Sequence, residues 1–136
     1  MTEHLTMNTV IHAAFRRDLA RFDAALATFP DGSQERADQL VAAWDNYSHQ
    51  LHHHHQDEET IFWPAFRELG ADEALTSDLG GEHARMLAAL DHADDVVRQL
   101  PGEPSALSAA DARAAVAQLG EVLTDHLAHE EAELEP

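Results

Sequence analysis

Neither cysteine nor lysine occurs in the 136 residues of this chain. The missing cysteines exclude disulfides, zinc–thiolate sites, iron–sulfur clusters and thiol catalysis. The only side chains of fixed positive charge are eight arginines, set against 26 acids, for a net charge of −18. No basic patch is available to offset phosphate repulsion, so nucleic acid and anionic membrane surfaces are excluded as partners. No apolar run approaches the roughly 20 residues needed to span a bilayer. The opening MTEHLTMNTV has neither a basic n-region nor an apolar h-region, and a cytoplasmic protein is expected. Alternating apolar and polar residues are absent too, which removes strands from consideration. What is present is a 44% apolar fraction, enough for one core, and 11 histidines. A single domain over residues 1–136 is the expectation.

Apolar residues recur at steps of three and four in four stretches. The first stripe is Leu5, Asn8, His12, Phe15, Leu19, Phe22, Leu26 and Phe29, ended by Pro30-Asp31-Gly32. The second opens at Ser33 as N-cap and runs through Leu40, Trp44, Tyr47, Leu51, His54, Glu58 and Ile61 to Pro64, where a kink or stop is expected. Gly70 marks a turn. The third is Leu75, Leu79, His83, Met86, Leu90, Ala93, Val97 and Leu100, weakened at Gly80-Gly81 and stopped by Pro101-Gly102-Glu103-Pro104. Ser108 and Asp111 read as a capping box for the last, Val116, Leu119, Leu123, His126, Glu130 and Leu134. This predicts an all-α fold, an up-down-up-down antiparallel four-helix bundle.

Each stripe carries a polar flaw. His12, His54, His83 and His126 occupy core positions, and Glu58 and Glu130 follow two of them by one helical turn. Burying an unpaired carboxylate costs several kcal/mol, a large share of the ~5–15 kcal/mol stability of a domain. The positions also coincide in height. His12 lies 19 residues before Asp31 and His54 lies 21 after Ser33, so at about 1.5 Å per residue both stand roughly 30 Å from the first turn. The same comparison across the other two turns puts all six residues at one level.

An internal repeat supports a shared site: His54-x3-Glu58-x5-Pro64 matches His126-x3-Glu130-x5-Pro136, with a lone histidine 42 or 43 residues upstream of each. Two carboxylates between two like halves suit the bridging of two metal ions, and imidazole with carboxylate favours iron or manganese over structural zinc. For any one of these histidines alone, the ordinary alternative is a core imidazole bonded to a carbonyl. His55 lies between faces and is a candidate added ligand. Tyr47, two turns before His54, is another, although a core aromatic with a bonded hydroxyl is the plainer reading. His52 and His53 fall on the polar face, and His129, Glu131, Glu133 and Glu135 read as a solvated acidic face. The spacing fits neither a zinc-protease helix nor a Glu-x-x-His carboxylate motif, and there is no Gly-rich phosphate loop.

With His12, His54-x3-Glu58, Phe62-Trp63-Pro64, Glu82-His83 and His126-x3-Glu130 in view, the chain resembles the hemerythrin-like (HHE cation-binding) family from His12 to Pro136. The resemblance implies a four-helix bundle around an oxo- or hydroxo-bridged pair of iron ions. His12, His54, His83 and His126 are then terminal ligands, and Glu58 and Glu130 bridge. The oxygen-carrying members have a His-x3-His pair on the third helix, where this chain has His83 and Leu87, and their last acid is an aspartate at a spacing of five. His55, Tyr47 or Glu82 is the candidate replacement for the missing ligand. The function expected is a non-haem di-iron protein that binds or reacts with dioxygen, nitric oxide or peroxide. The alternatives are catalase-type peroxide breakdown or nitric-oxide detoxification at the same centre, or iron or oxygen sensing.

Overall fold

The computed structural model describes residues 7–70 and 72–134. Leu5 and Pro136 lie outside the described residues, as do the side chains of Asn8, Glu133 and Leu134 and the whole of Glu135. The described residues are helical, without a strand. The elements are α1 (Met7–Ala27), α2 (Gln34–Asp57), a π-helical segment (Glu58–Phe62), α3 (Trp63–Glu68), α4 (Glu73–Arg98), a 3₁₀ turn (Leu100–Gly102) and α5 (Ala106–Leu134). The four long helices pack in a ring, α1 on α2, α2 on α4, α4 on α5, and α5 back on α1. None of the described helices is long and apolar enough to cross a membrane.

Local chemistry sets the ends. Ser33 caps α2, its hydroxyl accepting from the Arg36 N–H at 3.2 Å, and Asp72 caps α4 by accepting from the Ala74 N–H at 2.9 Å. Gly32 and Gly70 hold φ of +84° and +102°, a region open to glycine without a Cβ penalty. The expected cap of the last helix is corrected. Ser105, not Ser108, is the capping residue, its hydroxyl accepting from the Ser108 N–H at 3.0 Å, because the helix already starts at Ala106. Asp31 accepts from the Ala106 N–H at 2.7 Å, and the Gly32 N–H donates to the Pro104 carbonyl at 2.6 Å, tying the first and last turns together. Gly80-Gly81 passes unbroken within α4.

A second correction concerns Pro64. The chain stays helical through it to Glu68, and the irregularity comes earlier, in the π segment. There the Trp63 N–H bonds to the Glu58 carbonyl, an i→i+5 step that takes one residue more per turn. The inward stripe therefore passes from Glu58 to Trp63, which is buried, while Ile61 is turned outward at 58% exposure. Pro64 then sits in the first turn of α3, where a missing N–H is tolerated.

The apolar core gathers Phe15, Leu19, Leu26, Trp44, Leu51, Met86, Leu90, Leu119 and Leu123 between the helices. Each fully buried large side chain of this kind contributes about 1.5–3 kcal/mol. One polar pair crosses it: the Trp44 indole N–H donates to Asp94 Oδ1 at 2.7 Å, which satisfies both buried groups.

Candidate metal centre

α1 brings in His12, the end of α2 brings His54 and His55, and the first π-helical residue is Glu58. α4 supplies His83, and α5 supplies His126 and Glu130. The structure brings all six core residues named from the sequence into one place, and adds His55. These seven form two donor sets. His55, Glu58, His83 and His126 make one, and His12, His54, Glu58 and Glu130 the other; within each set the ligand atoms lie within 4.8 Å of one another.

The two carboxylates lie between the sets. Glu58 Oε1 is 3.1 Å from His55 Nδ1, 3.4 Å from His54 Nε2 and 3.5 Å from His83 Nε2. Glu130 divides its oxygens, Oε1 lying 3.4 Å from His12 Nε2 and Oε2 lying 3.4 Å from His126 Nε2. The rings are also close, tilted against one another: His55 and His83 have centroids 4.2 Å apart, and His83 and His126 4.8 Å. Tyr47 takes no part, since its hydroxyl donates to the Phe15 carbonyl at 3.1 Å.

An outer layer of carboxylates orients three of the imidazoles. His12 Nδ1 donates to Glu131 at 3.2 Å, His83 Nδ1 to Glu59 at 2.8 Å, and His126 Nδ1 to Glu82 at 3.1 Å. In His83 and His126 this bond takes Nδ1 as the donor and leaves Nε2 as the lone-pair nitrogen turned to the interior. Glu131 is itself gripped by Arg16 through two bonds of 2.8 and 3.2 Å, and Glu82 also accepts from His129 at 2.7 Å. Glu131 and His129 are therefore not simply the solvated face that their positions predict. Sequence reasoning did not single out Glu59 and read Glu131 as solvated. Their signal, an acid adjacent to a core glutamate in Glu58-Glu59 and Glu130-Glu131, is weak in a chain with 26 acids.

Electrostatics favours the neutral form of His54, His55 and His83 beside a charged Glu130. Burial pushes His54 down to about 4, helped by the neighbouring His12, and pushes His55 lower still with help from His83 and His126. His83 is lowered by burial in spite of its bond to Glu59. Burial works to raise Glu130, but the neighbouring His12 imidazole, with His126 Nε2 3.4 Å away, outweighs it and holds the group far below the usual carboxylate range. His12 is pulled down by burial and raised more strongly by Glu130 and Glu131.

The donor chemistry fits a metal. Nε2 of His55, of His83 and of His126 is buried without a hydrogen bond, a costly state in a protein interior and the natural one for a nitrogen lone pair that ligates. Imidazoles with carboxylates and no thiolate suit iron or manganese. A smaller group on α2 and α4, His52, Asp91 and the buried Asp94, lies apart from these two sets.

A sequence profile described as the hemerythrin HHE cation binding domain matches residues 8–136. No curated protein and no solved structure matches the chain.

Proposed function

Since the chain belongs to the hemerythrin HHE cation-binding family, we propose that it is a non-haem di-iron protein whose metal pair binds or reacts with dioxygen, nitric oxide or peroxide. The observation that carries this reading is the division of labour between the two donor sets. They share Glu58, and Glu130 turns one oxygen toward His12 and the other toward His126. One ion alone would leave half of these donors idle.

In this reading His55, His83 and His126 are terminal ligands on one side, His12 and His54 on the other, and Glu58 and Glu130 bridge. Bound iron supplies the electrons and the coordination positions for the small ligand. The chain's own residues decide where that ligand is received. The His12–His54 side has two imidazoles against three, so it has fewer donors to fill its positions. It also includes His54, the most exposed of the seven. Glu59, Glu82 and Glu131 fix the tautomers and add negative charge around the cations. Phe15, Leu51, Met86 and Leu123 exclude water and lower the local dielectric.

The scaffold proposed is an up-down-up-down antiparallel bundle forming one domain. Its support is the inverse order of paired residues: His12 with His54 and Phe22 with Trp44 across α1 and α2, and Arg16 with Glu131 and Arg113 with Asp23 across α1 and α5. With His55 among the donors, the count is five histidines and two carboxylates. His55 then stands in for the histidine absent at Leu87.

An anaerobic Fe(II) titration of metal-free protein, followed by air, tests the proposal. Saturation at two irons per chain and a new visible absorption band on adding air are expected. Saturation at one iron, or the absence of colour, would overturn it.

A further inference from the structure

α1 and α2 meet less closely than the other neighbouring long helices, and a cavity of about 480 Å³ opens between them. Ile11, Phe15, Phe22, Leu40 and Tyr47 give it an apolar lining. No donor of the metal centre lines it, but its wall includes residues next to two of them along the helices. Ile11 directly precedes His12, and Gln50, also on the wall, stands one helical turn before His54.

Phe15 is on the cavity wall and also touches an imidazole of the site. Phe15 packs edge-on against His54 with centroids 5.4 Å apart, and against Tyr47 at 5.9 Å. The Tyr47 hydroxyl is already committed to the Phe15 carbonyl, so it both fixes this stretch of α1 and offers the cavity no free donor. On the site side, the His54 side chain is 10% exposed, whereas those of His12, His55, Glu58, His83, His126 and Glu130 are at 2% or less. At the rim, Arg21 is held by Asp18 at 3.6 Å, and the chain as a whole carries −18. Nothing there draws in an anion.

The geometry points to the α1–α2 groove as the route by which a small, uncharged, apolar ligand reaches the His12–His54 side of the centre, with Phe15 as its gate. The class of ligand selected is a neutral diatomic gas in preference to an anion. This inference rests on the di-iron reading above for its destination, and on the cavity and the Phe15 contacts for its path.

Ala14 lines the groove and is half-buried, so Ala14→Phe fills it without touching a donor. In metal-free protein, dissolved xenon should shift the NMR resonances of Phe15, Tyr47 and His54, and Ala14→Phe should abolish those shifts. In the iron-loaded protein, Ala14→Phe should slow nitric-oxide association and dissociation alike, each by about tenfold, leaving the equilibrium affinity unchanged. Phe15→Leu, a milder change than truncation, should speed both. Xenon that leaves those three residues unmoved overturns the route, and so does an association rate unaltered in Ala14→Phe. Failure of the di-iron reading would register separately, as fewer than two irons per chain in the wild type, while the xenon result would still decide whether the groove leads to His54.

Discussion

The part of the molecule around Trp44, Leu90 and Leu119 and the part around His12, Glu58 and Glu130 are equally buried but differently made. The first is filled by hydrocarbon, and its buried polar groups are paired within the protein, Trp44 with Asp94 and Tyr47 with the Phe15 carbonyl. The second is filled by ring nitrogens and carboxylates, with three Nε2 atoms that no protein donor satisfies. Hydrocarbon packing stabilises whatever the solution contains. A buried imidazole–carboxylate cluster stabilises only when cations compensate it. One end of the fold is thus complete in itself, and the other is conditional.

The sharpest way to break this contrast is to remove a bridge. Glu58→Ala or Glu130→Ala should lose most of the bound iron, read as metal per chain by mass spectrometry, and should lose with it the rise in melting temperature that iron gives the wild type. Near-wild-type iron in both variants would refute the bridging roles.

Acid should weaken the conditional end next. His54, His55 and His83 have folded pKa values below the ordinary 6.5, with His54 at about 4, so unfolding takes up protons in that window. The stability of metal-free protein should therefore fall as pH drops from 6.5 toward 4. His12, which is raised, works in the opposite sense, but its contribution changes above pH 6.5 and is already complete in this window. Urea titrations at pH 7, 6 and 5 would check it, and a midpoint that rises on acidification would contradict it.

Leu90→Ala, at the other end, should cost about 2–5 kcal/mol through lost burial and the cavity left behind. Chemical denaturation should give nearly the same loss with and without iron, because the site is remote. A loss confined to the iron-loaded protein would dissolve the distinction between the two ends. Smaller again is Glu82→Gln, which keeps an acceptor for His126 but removes the charge. Chelator competition should show iron held about 10- to 100-fold less tightly, with the metal-free melting curve almost unchanged.

Much of this could be read in the sequence because helical period and length are local. The four long helices and the common level of His12, His54, Glu58, His83, His126 and Glu130 follow from spacing and turn position. His55 did not, since it sits between faces and its inward turn depends on packing against His83 and His126 from other helices. Ile61 was placed on the wrong face because a stripe drawn at α-helical period runs out of phase across a π segment. Glu59, Glu82 and Glu131 lie off the core stripes, and only their partners across the helices distinguish them from other acids of a strongly acidic chain. The Ser105 cap was misread by three residues, a choice among neighbouring serines that the length of α5 decides.

The link between the first and last turns, Gly32 to Pro104 and Asp31 to Ala106, has a mechanical consequence. Roughly 30 Å from the imidazoles, it works as the joined end of a pair of forceps. The grip keeps α1 and α5 in register whether or not a cation compensates the donors at the tips. In the di-iron reading, filling the site then asks for a short closing movement rather than a fresh search.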